Sequence, residues 1–548
     1  MINVIIDDKV YTFNKGTTLL GVSKQVPLNL KEKPLVCYVD NKIEELTYEL
    51  KYDCKLKFLD LNDRCANRIY QTGLIFLLCH AINSLYGKDY KIKVCHSIDK
   101  AISIKTYFDI TDDMLNDIYN KMMEDVSYKI PIRKCLSLKK DAKKYFSLNL
   151  DSKKADTYDY TTDSYVTLYK LDNIYDYFYG KMPINTSYLD KFHLTYIGKR
   201  DFVLQFPTPT SNGIIPEFTP HESTTSAFNK NYKYAKQLDI FTSCDINKKI
   251  AKGEIDEIIK LDEVLANNNL LLIAKEIYEN RDRIKMVLIA GPSSSGKTTS
   301  SKKLSLYLKS FGLNPKPISI DDYFLPRDKT PRLPNGEYDF ESIRAIDTDL
   351  FNSQLTSLLN GEEVSLPTFN FVLGIPEFKG KKLRLLENDI LIIEGLHGLN
   401  EELTSHIKRE NKYKIYISPL TDLNIDNHNM VSTSDVRLLR RIVRDNRTRG
   451  YSANDTIRKW NLVREGEERY VFPFQDEADK IFNTALIYEI GVLRLYAEPL
   501  LYEIKEDDEN YEEARRLLDF LDMFLCIPTD SIPTDSILRE FIGNSFFE

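Results

Sequence analysis

Residues 286–300 read Met-Val-Leu-Ile-Ala-Gly-Pro-Ser-Ser-Ser-Gly-Lys-Thr-Thr-Ser. From Gly291 to Thr298 they follow the spacing G-x-x-x-x-G-K-[ST], the loop that cradles phosphate. Gly291 and Gly296 let the backbone turn its N–H groups toward phosphate oxygens. Pro292, Ser293, Ser294 and Ser295 form the loop between them. Lys297 brings a mobile positive charge to the outer phosphates, and the Thr298 hydroxyl suits Mg²⁺. Thr299 and the residues after it offer a helix N-terminus to the anion. The apolar run Met286–Ala290 supplies the strand that this motif needs in front of it. The pattern implies a nucleoside triphosphate site and leaves its use open.

Further groups narrow that use. The run Lys316–Ile320 reads as a strand ending in Asp321-Asp322-Tyr323-Phe324, and Asp389–Ile393 as a strand ending in Glu394-Gly395. Parallel strands present their C-terminal ends to the ligand crevice, so Asp321 and Glu394 are expected beside Lys297. Asp321 suits a general base that takes a proton from an acceptor hydroxyl. Glu394 suits Mg²⁺, directly or through water. The segment Asp435–Gly450 carries Arg437, Arg440, Arg441, Arg444, Arg447 and Arg449. So basic a helix is costly against a core, and reads instead as a lid that neutralises charge on a transferring phosphoryl group.

The elements that position these groups fall into five segments. Residues 1–61 read as a β-rich module, with a hairpin around Asp7-Asp8 and a short helix capped by Thr17 or Thr18. Residues 62–205 read as an α+β domain containing helices over Cys65–Tyr86 and Thr111–Asp125. Residues 206–280 hold a Pro-rich connection, with His221 as a lesser candidate, and helical runs. Residues 281–505 are the α/β core. Residues 506–548 read as a helical tail with a tandem Ile-Pro-Thr-Asp-Ser, taken as a local duplication in a turn. The insertion Asp422–Ser434 offers Asn424, Asn427 and His428 to a reshaped acceptor site.

In order and spacing, the P-loop, Ser319-x-Asp321-x-Tyr323, strand-Glu394-Gly395 and Arg440-Arg-x-x-Arg444-Asp-x-x-x-Arg449-Gly resemble the uridine kinase/phosphoribulokinase family. The resemblance covers about 220 residues. It implies a P-loop kinase with a parallel sheet and helical lid, using ATP and Mg²⁺, and a nucleoside-like acceptor. Tyr338-Asp-Phe-Glu341 matches the nucleoside-binding stretch, placing Glu341 where a carboxylate holds ribose hydroxyls. Leu366–Phe371 matches the base-site stretch, with Phe369 and Phe371. Arg444 and Arg449 fall on phosphate-gripping arginines and Arg441 on one near the acceptor. The tyrosine and histidine that read a pyrimidine fall at Phe369 and Gly374, which cannot hydrogen-bond a base edge. A further lid arginine falls at Tyr451.

Residues 1–61 resemble the ubiquitin-like β-grasp TGS domain. Residues 62–205 resemble the editing domain of threonyl- and alanyl-tRNA synthetases. The four metal-ligand positions of that domain fall at Thr72, Phe76, Phe178 and Met182, so the resemblance is to a hydrolytically dead form. His80 reads as a packed helix residue. These modules raise the prospect of an RNA contact through residues 1–205, and of an alternative function as a regulatory RNA- or ribosome-associated ATPase. A phosphotransferase for another metabolite, such as a sugar phosphate, is a third reading.

Composition sets outer limits. The chain has 548 residues, a net charge of −7 and 29% charged residues. No global basic field draws it to nucleic acid, and Lys139-Lys140 and Lys143-Lys144 read as solvated helix faces. Eight scattered cysteines without a C-x-x-C pair suggest reduced thiols. With no signal-peptide pattern and no apolar run long enough to span a bilayer, the expectation is a cytoplasmic protein without a membrane contact.

Overall fold

The computed structural model describes every residue except Leu150, Pro220, His221, Pro334, Asn335, Phe371 and Val372. His221 and Phe371, both singled out above, therefore lie outside the described residues.

The sheet that carries the P-loop has five parallel strands. Their order is Asn314–Ser319, Asp389–Glu394, Met286–Ala290, Lys412–Ser418, Lys480–Asn483. Met286–Ala290 is buried at every position, which explains its unbroken apolar sequence at the centre of a sheet covered on both faces. Asn314–Ser319 contains Pro315 and Pro317 and lies at an edge, where missing N–H donors cost least.

The segments that the sequence divides at 280 and 505 share one core. Ile258, Ile273 and Ile277 from the helix Ile255–Glu279 pack with Val287 and Ile289 of the central strand. Leu517, Phe520 and Phe541 from the C-terminal residues join the same cluster. The amphipathic helix there spans Tyr511–Leu521, and the last helix is Arg539–Ile542. The tandem is more than a turn. In its second copy Asp535 pairs with Lys303 at 3.0 Å, and Ile537, the residue after that copy, packs on the P-loop at Gly296.

The N-terminal half is built separately. Ile2–Ile6 alternates buried and exposed, pairs antiparallel with Lys9–Phe13, and lies parallel to Cys54–Leu59. Val36–Val39 and Lys42–Glu45 complete a five-stranded sheet. Asp7 and Asp8 both take positive φ, the geometry of a tight hairpin turn. Beyond it, the helix Arg64–Tyr86 is capped by the Asp63 carboxylate, which accepts from the Cys65 and Ala66 amides. The helix is accompanied by a four-stranded and a three-stranded sheet. His80 is buried on it, and its ring meets Asp125 at 2.8 Å. Phe76 and Phe178 are in ring contact at 5.3 Å within the core.

The insertion corrects one expectation. Asn424, Asn427 and His428 turn toward the N-terminal half, not toward the acceptor side of the cleft. Asn424 Nδ2 donates to the Val94 carbonyl at 2.6 Å, and the Val94 amide donates to the Asn427 carbonyl at 2.8 Å. His428 meets Asp176. Among the described residues, no helix is long and apolar enough to cross a membrane.

Candidate active site

The central strand delivers the chain to Gly291, where a side chain is impossible. A Cβ there would lie 2.0 Å from the Ile417 carbonyl oxygen. Ser294 and Gly296 both take positive φ, curling the loop around its own amides. The helix Lys297–Ser310 starts immediately after. Lys297 Nζ donates to the Gly291 and Pro292 carbonyls at 2.9 and 3.0 Å, folded back over the loop. Burial lowers the pKa of its ammonium, opposed by the charges of Glu394, Asp321, Glu540 and Glu467. The charges of those four carboxylates thus all favour the protonated lysine.

Asp321 begins beyond the edge strand, in the short 3₁₀ turn Ile320–Tyr323, and feels Lys297 and Arg449. The protein around it raises its pKa above the usual aspartate value, against the pull of those two cations. Asp322 does a different job, accepting from the Phe369 amide at 3.2 Å. Glu394 closes the neighbouring strand, and Thr298 Oγ1 donates to its Oε1 at 3.4 Å. Glu394 Oε2 is buried with no hydrogen-bond partner, and burial pushes the carboxyl up to about 7. A buried acceptor without a donor beside a P-loop hydroxyl is the donor set a hard divalent cation requires, so Thr298 and Glu394 fit Mg²⁺.

The arginine-rich helix spans Thr433–Arg449, and its arginines divide by depth of burial. Arg437 and Arg440 are buried, contrary to the expectation that so basic a helix avoids the core. Each is matched by a buried acid. Arg437 pairs with Glu467 and donates from Nε to the Ser293 carbonyl at 2.9 Å. Its guanidinium lies 5.2 Å from the ring centre of Trp460. Arg440 Nε donates to Glu489 at 2.6 Å. Removing one partner of such a pair costs about 3–5 kcal/mol, because it strands a charge. Arg441, Arg444 and Arg449 are less buried and converge on the buried Asp445. Their nearest contacts to it are 3.3, 2.7 and 3.3 Å. Arg441 also donates to Ser293 Oγ at 2.9 Å. Arg447 instead holds the C-terminal residues, donating to the Phe541 and Glu540 carbonyls.

Two carboxylates sit on P-loop amides. Glu467 Oε1 accepts from the Ser293 amide at 2.7 Å, and Glu540 Oε2 accepts from the Thr299 amide at 3.0 Å. Neither was singled out in the sequence. Glu467 carried the faint signal of an acid on a helix following the arginines. Glu540 carried none, lying 241 residues from its partner. Asp445 was legible only as the acid inside the arginine motif.

The acceptor side is looser. Glu341 lies against Gly466, where a Cβ would sit 2.6 Å from its Cγ, so only glycine leaves room. Burial and the neighbouring Glu467 push Glu341 up to about 7, opposed by Arg441. Phe369 sits in the short hairpin of Thr368–Asn370 and Ile375–Glu377, with its ring 5.6 Å from that of Phe324. Gly374 is pressed against Arg327 at positive φ.

Residues 286–487 match the phosphoribulokinase/uridine kinase family. A uridine kinase of Borrelia duttonii is 27% identical over 204 residues, which span 36% of this chain and 85% of that protein. A uridine kinase of Schizosaccharomyces pombe is 31% identical over 195 residues, spanning 34% of this chain and 38% of that protein. A solved structure of a possible uridine kinase from Bacillus stearothermophilus shares 18% identity. It covers 36% of this chain and 89% of its own, with a TM-score of 0.26, too low to add to the argument. Residues 286–487 form a phosphoribulokinase/uridine kinase family domain, built as a P-loop kinase on a parallel sheet.

Proposed function

We propose that this chain is an ATP-dependent kinase that phosphorylates a hydroxyl of a nucleoside or a related small metabolite. The observation that carries this reading is the placement of Asp321. It follows the strand next to the one that Glu394 ends, and it and Glu394 both act electrostatically on Lys297, while Arg449 acts on Asp321. A hydrolytic switch has no need of a second acid at that position. A kinase needs it to take the acceptor proton as the hydroxyl oxygen attacks the γ-phosphorus.

Lys297, Arg444 and Arg449 supply the positive charge that stabilises the transferring phosphoryl group. The P-loop amides from Ser294 to Thr298 hold the remaining phosphates. Thr298 and Glu394 would hold Mg²⁺, which would supply positive charge against the triphosphate when bound. Glu341, Phe369 and Arg441 are proposed to line the acceptor side. Without a side chain that reads a base edge at Phe369 or Gly374, discrimination among bases is weak. We also propose that residues 1–61 are a TGS-like β-grasp module. Its support is the five-stranded sheet in which the first strand lies parallel to the last.

The test is an ATP-consumption screen across nucleosides and sugar phosphates, with Asp321→Asn as control. One acceptor should stimulate turnover above basal hydrolysis, and the variant should lose about 10²–10⁴-fold of that stimulation. If no acceptor stimulates and the variant hydrolyses ATP as fast as the parent, the kinase reading falls.

A further inference from the structure

A second chemically active cluster lies far from the P-loop in sequence, at the junction where the insertion meets the N-terminal half. Cys79 faces it from the helix Arg64–Tyr86, and Asp176 ends the strand Ile174–Asp176. His428 reaches it from the insertion. One donor atom from each lies within 4.8 Å of the other two, and among the described residues this is the one histidine, cysteine and acid group so arranged. His428 Nδ1 meets Asp176 Oδ2 at 2.5 Å. The turn that presents His428 is pinned by Asp426, whose Oδ1 accepts from the His428 and Asn429 amides at 2.8 and 3.0 Å. The three residues line a cleft of about 90 Å³, walled by Ile82, Tyr145 and Tyr175.

We propose that Cys79, Asp176 and His428 form a binding site for a soft divalent cation of the zinc type, built across the junction of the two halves of the chain. The donor set argues for it. A thiolate, an imidazole and a carboxylate select zinc over magnesium or calcium, which take oxygen ligands. Zn–S of about 2.3 Å and Zn–N of about 2.0 Å place tetrahedral donors roughly 3.3–3.6 Å apart. The observed spread closes to that with movements of about an ångström. Charge argues for it too. Lys154 is buried beside Asp176 and Asp426, its Nζ 3.4 Å from Asp426. Two carboxylates and a Cys79 thiolate against one ammonium leave two negative charges, which one divalent cation cancels. The thiol proton, and the proton that the Cys79 and Asp176 charges favour on His428, leave as the metal enters. The cleft leaves the fourth coordination position open to water or a small ligand.

This site is separate from the four positions at which the editing-domain resemblance places ligands. There, Phe76, Phe178 and Met182 are buried apolar residues. It also has a mechanical address, because His428 stands five residues before the arginine helix begins at Thr433. Metal binding would tie that helix to the N-terminal half.

The experiment uses the full chain, stripped with a chelator and titrated with Zn²⁺ against a chromophoric competitor. Co²⁺ is titrated in parallel as a spectroscopic probe. One Zn²⁺ should bind per chain, weakened about 100-fold or more in Cys79→Ser and in His428→Gln. Co²⁺ should give tetrahedral ligand-field bands with a thiolate-to-cobalt charge-transfer band. Alkylation read peptide by peptide should show Zn²⁺ protecting Cys79 among the eight cysteines. The Co²⁺ and alkylation readouts on the unaltered protein decide the matter even if a variant fails to fold. Binding equal in parent and Cys79→Ser, a Co²⁺ spectrum without thiolate character, or unprotected Cys79 overturns the proposal.

Discussion

The donor and acceptor halves of the cleft are built by different means. On the donor side, Asp321 and Glu394 stand at the ends of neighbouring parallel strands, Lys297 and Thr298 in the first turn of a helix, and the arginines along one helix. Lys297 is held by two loop carbonyls, and Asp445 holds three arginines. On the acceptor side, Phe369 hangs on a three-residue strand and Glu341 fits only because Gly466 lacks a side chain. The difference teaches where specificity is stored. Phosphoryl transfer demands one charge geometry, which a sheet fixes well. Acceptor choice depends on short loops that change at small cost to the core.

The sharpest break in that contrast is Asp445→Asn. It leaves every arginine in place but removes the charge that orients Arg441, Arg444 and Arg449 together. With an accepted hydroxyl compound, kcat should fall about 100-fold, the cost of misplacing groups by about an ångström. An unchanged kcat would mean that the arginines need no common anchor, and the donor half would lose its claim to rigidity. Next comes Glu341→Gln, which tests the acceptor side alone. Losing a charge-assisted hydrogen bond of about 2 kcal/mol should raise the acceptor KM roughly 30-fold while the KM for ATP holds. A parallel rise in both would place Glu341 in the donor half instead.

The smallest effect is one of pH. The Glu394 carboxyl, pushed up to about 7, keeps its proton in the folded protein over a range where the unfolded chain, near 4.5, has released it. The nucleotide-free protein therefore loses stability from this group as pH rises through that window. Mg²⁺ requires the carboxylate, so MgATP binding should release a proton and tighten about five- to tenfold from roughly pH 6 to 8. Calorimetry in buffers of different ionisation enthalpy measures that proton. Glu394→Gln should abolish both its release and the pH dependence.

Much of the donor half was legible because its requirements are local. A loop that turns on Gly291 and Gly296 and a strand that ends in an acid leave fixed spacings in the chain. The arginine segment was legible as a charge density but not as a buried set and a more exposed set. The buried partners of Arg437 and Arg440 are Glu467 and Glu489, 30 and 49 residues further on, and no local pattern pairs them. The same holds for Glu540 on Thr299. The insertion was legible as an addition, open as a loop or as part of a reshaped acceptor site, but not as a contact to the N-terminal half, because only the folded chain shows Asn424 and Asn427 hydrogen-bonded to Val94.

The contact between Arg437 and Trp460 has an optical consequence. The chain has a single tryptophan, so its indole emission comes from one known place. The cation above that ring also grips the Ser293 carbonyl and the Glu467 carboxylate, which in turn holds the Ser293 amide. Any ligand that reorders the loop at Ser293 shifts the charge beside the indole. The protein thus carries its own fluorophore for nucleotide binding, wired to the phosphate loop by one arginine.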